Sequence, residues 1–251
     1  MALAQPLGGD PLAGAEVPAA GRIASLTIVL PCWNEAAAIE GVVRAAAEVG
    51  ARLCAGLELL VVDDGSTDDT LPRLRALEAQ LPALRVLHHP RNLGYGAALR
   101  AGFRAARGEY IFYTDSDGQF DLRELPRFVE GLAEHELVVG YRLDRQDGPL
   151  RALFGRLWTA STDALLGTGV RDVNCAFKLF PRALVADEAL GSEGALVGAE
   201  LLSEARARGL RVGELGVRHL PRRAGQPTGA RPRVIGRALL ELAQLVRRRR
   251  R

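Results

Sequence analysis

The sequence predicts an α/β domain built on a mostly parallel central sheet with helices on both faces. Three observations predict it. Short apolar runs alternate with helix-like segments through the first half of the chain, and parallel strands need such crossovers. The runs 26–30, 57–62 and 110–113 each end in a polar or acidic cluster, where open α/β sheets bind ligands. The 251 residues, 48% hydrophobic and 25% charged, suffice for one large domain with its own core.

Residues 1–21, rich in Ala, Gly and Pro without periodicity, are expected to be a disordered leader. The first strand, 26–30, is expected to stop at Pro31, and Asn34 to cap a helix reaching Val49. The second strand, 57–62, closes on Asp63-Asp64-Gly65-Ser66. Ser66 and Asp69 have capping-box-like spacing for a helix to about Ala79. Residues 84–87 read as the third strand. A helix from Gly94 to Arg107 presents a small-residue face of Ala97, Ala98, Ala101, Phe103 and Ala105, and Gly108 stands where a left-handed C-cap would. The fourth strand, 110–113, leads into Thr114-Asp115-Ser116-Asp117-Gly118-Gln119. A helix through Phe128 to about Glu134 and a fifth strand at 137–139 follow.

The second half is less regular. Residues 150–166 read as helix, 173–180 as strand, 194–208 as helix stopped by Gly209, and 210–219 as strand. Residues 222–233 form a loop rich in Gly, Pro and Arg. Ile235, Leu239, Leu242 and Val246 then recur at helical spacing. The expected organisation is a leader over 1–21, one domain over 22–230, and a basic amphipathic helix with an Arg tail over 231–251.

The net charge is +3, from 33 Lys and Arg against 30 Asp and Glu. Arg247 to Arg251 supply five of the basic residues, so the rest of the chain holds 28 against 30. A nucleic-acid binder spreads basic residues over a face of its fold, so no nucleic-acid partner is expected. A basic tail beside an apolar stripe fits an anionic membrane surface. Cys32, Cys54 and Cys175 lack metal-site spacing and point to a reduced chain. No signal-peptide pattern is evident, and no apolar run approaches the ~18 residues that span a bilayer. The expected location is cytoplasmic, peripheral on the cytoplasmic face of the membrane.

Asp115 and Asp117, two residues apart after a buried strand, can face one ligand. Such oxygen donors suit Mg²⁺ or Mn²⁺, which would neutralise a diphosphate, and Gln119 can add an amide oxygen. An Asp-rich turn explains the same residues without any ligand. Asp64 can accept from a base N–H or a ribose hydroxyl, whereas Asp68 and Asp69 suit a helix N-terminus. Trp33 can stack on a nucleobase and Glu35 can hydrogen-bond it; a rim Trp beside an ordinary cap is the plainer reading. Gly94-Tyr95-Gly96 falls short of G-x-G-x-x-G and no P-loop is present, which argues against dinucleotide binding and ATPase chemistry. His88, His89, His135 and His219 form no metal or triad pattern; His88 and His89 read as loop residues. Arg142, Arg145 and Arg151 follow the fifth strand, and Arg222, Arg223 and Arg231 lie in the late loop. Arg forks suit phosphates, although most arginines in so Arg-rich a chain are solvated.

Taken together, IVLPCWNEAAAI, LLVVDDGSTDDT, NLGYGAALRAGFRAARGEYIFYTDSDGQF, VVGYR, RDVNCAFKLF and HLPRRAG resemble family 2 glycosyltransferases. Within that family they resemble the dolichol/polyprenyl-phosphate hexosyltransferases. The resemblance covers Ile28 to Gly225, and its specificity lies in the order and spacing of the segments. It implies a GT-A fold and inverting transfer of a hexose from a nucleoside diphosphate sugar, of the GDP-mannose or UDP-glucose class, to polyprenyl phosphate. It implies that Pro31, Trp33, Glu35, Val62 and Asp64 hold the nucleotide, with Trp33 in place of the usual Tyr. By the same likeness Asp115 and Ser116 line the donor. Asp117 and Gln119, with Asp115 beside them, hold Mg²⁺ or Mn²⁺. Arg142, Arg151 and Arg222 contact phosphates. Asp172, Asn174 and Lys178, the single lysine, match the segment near the acceptor. The expected catalytic set is Asp115, Asp117, Asp172 and Arg142. Two departures stand out. Some relatives carry C-terminal transmembrane helices, and Gln226-Pro227-Thr228 replaces a frequent G-x-S-K pattern, so a lysine contact there is not carried over.

The implied reaction is attack of a lipid phosphate oxygen on the anomeric carbon, with metal and Arg stabilising the departing diphosphate. A phosphate monoester, with a second pKa near ~6, is largely dianionic at neutral pH and needs no strong base. A hydroxyl acceptor would need one, from Asp172 or Glu200; Glu200 reads rather as a solvated helix residue. Other classes are a sugar nucleotidyltransferase, which should show a Gly-rich basic loop near its N-terminus, and a non-catalytic nucleotide-sugar-binding protein, which would tolerate degraded acidic strand ends. Neither feature is present.

Overall fold

The computed structural model describes residues 22–143, 149–186, 190–192, 194–222 and 232–249. The leader, Arg145, Arg223, Arg231 and the last Arg residues lie outside the described residues, as do the side chains of Arg151 and Ile235.

Seven strands form one sheet: β1 (Ile23–Cys32), β2 (Cys54–Asp63), β3 (Leu84–His88), β4 (Tyr110–Thr114), β5 (Leu137–Arg142), β6 (Phe177–Pro181) and β7 (Val212–Val217), in the order β3-β2-β1-β4-β6-β5-β7. Only β6 runs antiparallel to its neighbours, β4 and β5. The helices are α1 (Ile39–Leu53), α2 (Thr70–Glu78), α3 (Tyr95–Ala105), α4 (Leu125–Gly131), α5 (Pro149–Leu166), α6 (Val197–Ala207) and α7 (Pro232–Arg249). Successive strand residues point to opposite faces, which fixes the layering at two neighbours on β1. Ile28 reaches Gly50 of α1, whereas Val29 reaches Gly102 of α3. Helices therefore cover both faces, which is why β1, β2 and β4 read as unbroken apolar runs rather than alternating ones.

Several local expectations are corrected. Pro31 does not end β1, which continues to Cys32 in register with β2. Pairing with β4 has already ended at Val29, so the missing proline N–H costs no ladder bond. Residues 173–176 form a turn rather than strand: the buried Lys178 ammonium donates to the carbonyls of Val173 and Cys175 and holds them in place. Gly108 is not left-handed. Its Cα lies against β1, where a Cβ would sit 2.6 Å from the Thr27 nitrogen. The side of α3 that packs centres on Ala98, Leu99 and Gly102, not on the alanines at 97, 101 and 105.

The core runs unbroken through the sheet, with Phe112, Phe120 and Phe128 gathered around Phe177 under its second half. α7 joins this body through Ala238, Leu242 and Leu245. Glu241 pins it by accepting from the Gly194 N–H at 3.2 Å. The expected stripe is thus split, with Leu242 inside and Leu239 outside. No helix among the described residues is long and apolar enough to cross a membrane.

Candidate active site

β1 feeds α1 on one face, and β4 lies beside it with α3 on the other, so the carboxyl ends of β1 and β4 flank the point where strand order reverses. Crevices of this kind receive ligands in open α/β sheets. The loop after β1 is built by its neighbour. Asn34 has φ 56° and caps nothing. Its carboxamide oxygen accepts from the Thr67 N–H at 2.8 Å. The N–H groups of Asn34, Glu35 and Ala36 donate in turn to Ser66 Oγ, Thr70 Oγ1 and Asp68 Oδ2. The polar run after β2 therefore fixes Trp33 and Glu35 instead of forming the expected capping box. Trp33 is half-buried, and its indole N–H is buried without a partner.

At the end of β2, Asp63 and Asp64 meet two histidines that sequence reasoning set aside. Asp63 Oδ2 lies 2.7 Å from His88 Nδ1, and Asp64 Oδ1 lies 2.7 Å from His89 Nδ1. Asp64 also accepts from the N–H groups of Leu93 and Gly94. Its carboxylate thus organises the β3–α3 loop, which brings in Tyr95, also passed over in the sequence. The only signal for it was its place directly after the Gly94 turn.

The end of β4 carries the centre of the site. Tyr95 donates its hydroxyl to Asp115 Oδ1 at 2.9 Å. Burial, then the charge of Asp117, pushes the Asp115 carboxyl up to about 7, opposed by Tyr95, Arg142 and Arg222. Asp117 Oδ1 accepts from the Gln119 N–H, and Oδ2 from Arg222 Nη2 at 2.6 Å. The other arm of Arg222 donates to Glu35 Oε1 at 3.1 Å. Burial raises the Glu35 pKa, and Arg222 holds it down. Gln119 Nε2 donates to the Leu220 carbonyl and fastens the segment that carries Arg222. Arg142 grips Asp172 through Nε and Nη2 at 2.7 and 3.0 Å, both side chains nearly buried.

Glu35, Asp115, Asp117, Gln119 and Arg222 therefore converge, with Trp33 and the Arg142–Asp172 pair beside them. Other expected residues serve the scaffold. The Val62 side chain is core under α3. The Ser116 hydroxyl faces inward and donates to the Pro31 carbonyl at 2.7 Å, tying β4 to β1. Lys178 is buried over the Tyr113 ring, and Asn174 is exposed. Glu200 is neither solvated nor available as a base: both of its oxygens accept from the backbone of Gly191 and Ser192. Burial pushes the Cys32 and Cys175 thiols up, so neither supplies a thiolate.

Among the described residues no three His, Cys, Asp or Glu side chains converge on a metal position. Mg²⁺ and Mn²⁺ are commonly bound through one or two carboxylates, with substrate phosphates completing the shell. Asp115, Asp117 and the Gln119 amide form a donor set of this kind.

The model of the family Glycosyl transferase family 2 matches residues 27–188. Dodecaprenyl-phosphate galacturonate synthase of Rhizobium johnstonii is 31% identical over 86% of this chain and 64% of that protein. Undecaprenyl-phosphate 4-deoxy-4-formamido-L-arabinose transferase of Pseudomonas aeruginosa is 32% identical over 64% of this chain and 48% of that protein. The chain thus spans 48% to 64% of the length of these relatives. Glucosyl-3-phosphoglycerate synthase of Mycobacterium tuberculosis, solved with Mn²⁺, UDP-glucose and phosphoglyceric acid, superimposes with TM-score 0.68 at 26% identity. The match covers 88% of this chain and 80% of that one. The architecture is of GT-A type.

Proposed function

The chain belongs to glycosyl transferase family 2, and from that premise we propose that it transfers a hexose, with inversion, from a nucleoside diphosphate sugar to polyprenyl phosphate. The observation that carries this reading is the Asp115/Asp117 pair at the switch point, bracketed by Arg222 and Arg142. Trp33 stacks on the nucleobase, and Glu35 and Asp64 shape its pocket. Arg222 and Arg142 offset the charge of the departing diphosphate, in a partly buried setting where such interactions are strong. Asp172 acts by orienting Arg142, since that Arg occupies both of its oxygens. A bound Mg²⁺ or Mn²⁺, held by Asp117, Gln119 and Asp115, would supply Lewis-acid stabilisation of the diphosphate. The two relatives named for polyprenyl phosphates support the acceptor class. A dianionic acceptor needs no strong base, and the bidentate grip of Arg142 leaves Asp172 poorly suited to be one. The reaction places the chain peripherally at the cytoplasmic face of a membrane.

The solved neighbour with phosphoglyceric acid favours a second reading, transfer to the hydroxyl of a small phosphate-bearing acceptor. One screen separates the two: GDP-mannose, UDP-glucose and related donors, each offered polyprenyl phosphate or phosphoglyceric acid, with products identified by mass. A glycosylated polyprenyl phosphate supports the first reading. Product on phosphoglyceric acid alone overturns it.

A further inference from the structure

Among the described residues, large apolar side chains face solvent in two places only. Leu93, Tyr95 and Leu143 border the active site, and Leu157, Leu165, Leu239 and Leu240 lie on α5 and α7, which pack on one another. The layer of α1, α2 and α4 exposes none, and its α1 surface carries ion pairs such as Glu40–Arg44 and Glu48–Arg52. Single exposed leucines need no explanation; their gathering on one pair of helices does.

α7 is apolar on two sides. Ala238, Leu242 and Leu245 enter the core, while Leu239 (55% exposed), Leu240 (67%) and Ala243 face outward, with Arg247 a turn further on. α5 repeats the pattern with Leu157 (54%), Ala160, Ala164 and Leu165 (48%). The described carboxylates of these helices are engaged by their own chain. Asp163 accepts from the Gly169 N–H, and Glu241 from Arg237 and the Gly194 N–H. The outward faces carry leucine and alanine together with the exposed Ser161, Gln244 and Arg247, and the sequence has five consecutive arginines at residues 247–251.

We propose that α5 and α7 together form a docking surface for an anionic lipid bilayer, with the leucines at the headgroup boundary and the Arg run on lipid phosphates. The proposal rests on the reading of polyprenyl phosphate as acceptor, which presents its reactive head at that boundary. An in-plane apolar face with a cationic edge is the chemistry of interfacial helices. β5 ends at Arg142, α5 follows, and Asp172, which Arg142 grips, lies between α5 and β6. Docking of α5 therefore holds the acceptor side of the site near the lipid surface, with Leu143 at the near rim.

The test is flotation with vesicles of phosphatidylcholine alone or mixed with phosphatidylglycerol, at low and high salt. Wild type floats with the anionic vesicles only, and salt weakens it. Ending the chain at Val246 removes five basic residues, each worth about fivefold near such a surface, and lowers partitioning by roughly a thousandfold. Leu239→Glu with Leu240→Glu, and separately Leu157→Glu with Leu165→Glu, lower it at least about tenfold. All four sites are exposed, and unchanged melting verifies the fold; a pair that melts early is replaced by the Gln versions. Wild type that stays unbound to anionic vesicles at low salt overturns the proposal. So does equal flotation after both leucine pairs are changed, or a dimer that the Leu239/Leu240 change dissociates. Flotation needs no donor or acceptor, so a chain that floats but transfers nothing refutes the reaction and leaves the docking surface standing.

Discussion

Asp117 is held from two sides, by the Gln119 N–H on one oxygen and Arg222 on the other. Asp117→Ala therefore removes the proposed metal donor and frees one arm of Arg222 at once. The expected result is transfer lowered beyond detection with melting nearly unchanged, and the same loss for wild type in excess EDTA. A folded Asp117→Ala protein with full activity rejects the metal role. Asp115 gives a pH prediction. The folded chain holds its proton up to about 7, whereas an unfolded Asp titrates near ~3.9. Stability from that raised pKa is present at low pH and lost as pH rises through about 7. The melting temperature of metal-free protein should fall across this window, and Asp115→Asn should flatten the fall. Trp33→Ala should weaken nucleoside diphosphate binding by ~1–3 kcal/mol, the worth of one base stacked on an aromatic ring. Calorimetry that shows unchanged affinity rejects the stack. Glu35, Asp115 and Asp117 were legible in the sequence because acids after buried strands are conspicuous. Tyr95, His88 and His89 were not, because their roles depend on which strand ends become neighbours.

The elements meet closely where side chains are missing. A Cβ on Gly102 would meet Val29 Cγ1 at 2.4 Å, whereas one on Gly108 would meet backbone atoms of Leu26 and Thr27 at 2.6 to 3.0 Å. Gly102→Ala asks one side chain to move and should cost ~1–3 kcal/mol, as overpacked cores do. Gly108→Ala asks the backbone of β1, an interior strand of the sheet, to move, so its cost should be larger. Urea unfolding checks this through the midpoints at unchanged slope, and equal midpoints refute the ranking. Helix and strand positions were legible from apolar periodicity, but their ends were not. β1 passes Pro31 because β4 has already stopped pairing there. Asn34, Ser66 and Asp68 have the composition of caps, yet they spend their hydrogen bonds between two loops. A short polar side chain satisfies whichever backbone group is near, and sequence spacing cannot say which that is.

For the whole molecule, α7 makes the C-terminal segment part of the folded body. A chain ending at residue 231 loses the buried Leu242 and Leu245, each worth about 1.5–3 kcal/mol. Its melting temperature should drop by several degrees, and an unchanged melt would show that α7 adds no stability. The α/β class, the order of elements and the acidic strand ends were determined by the sequence, because burial on two faces writes continuous apolar runs and each crossover writes a helix. The reversal of β6 was decided only in the tertiary structure. So were the bridge of Arg222 from Glu35 to Asp117, 105 residues apart from its Asp117 end, and the inward turn of Leu242. These depend on distances between segments remote in the chain, and local patterning carries no information about them until the sheet has closed.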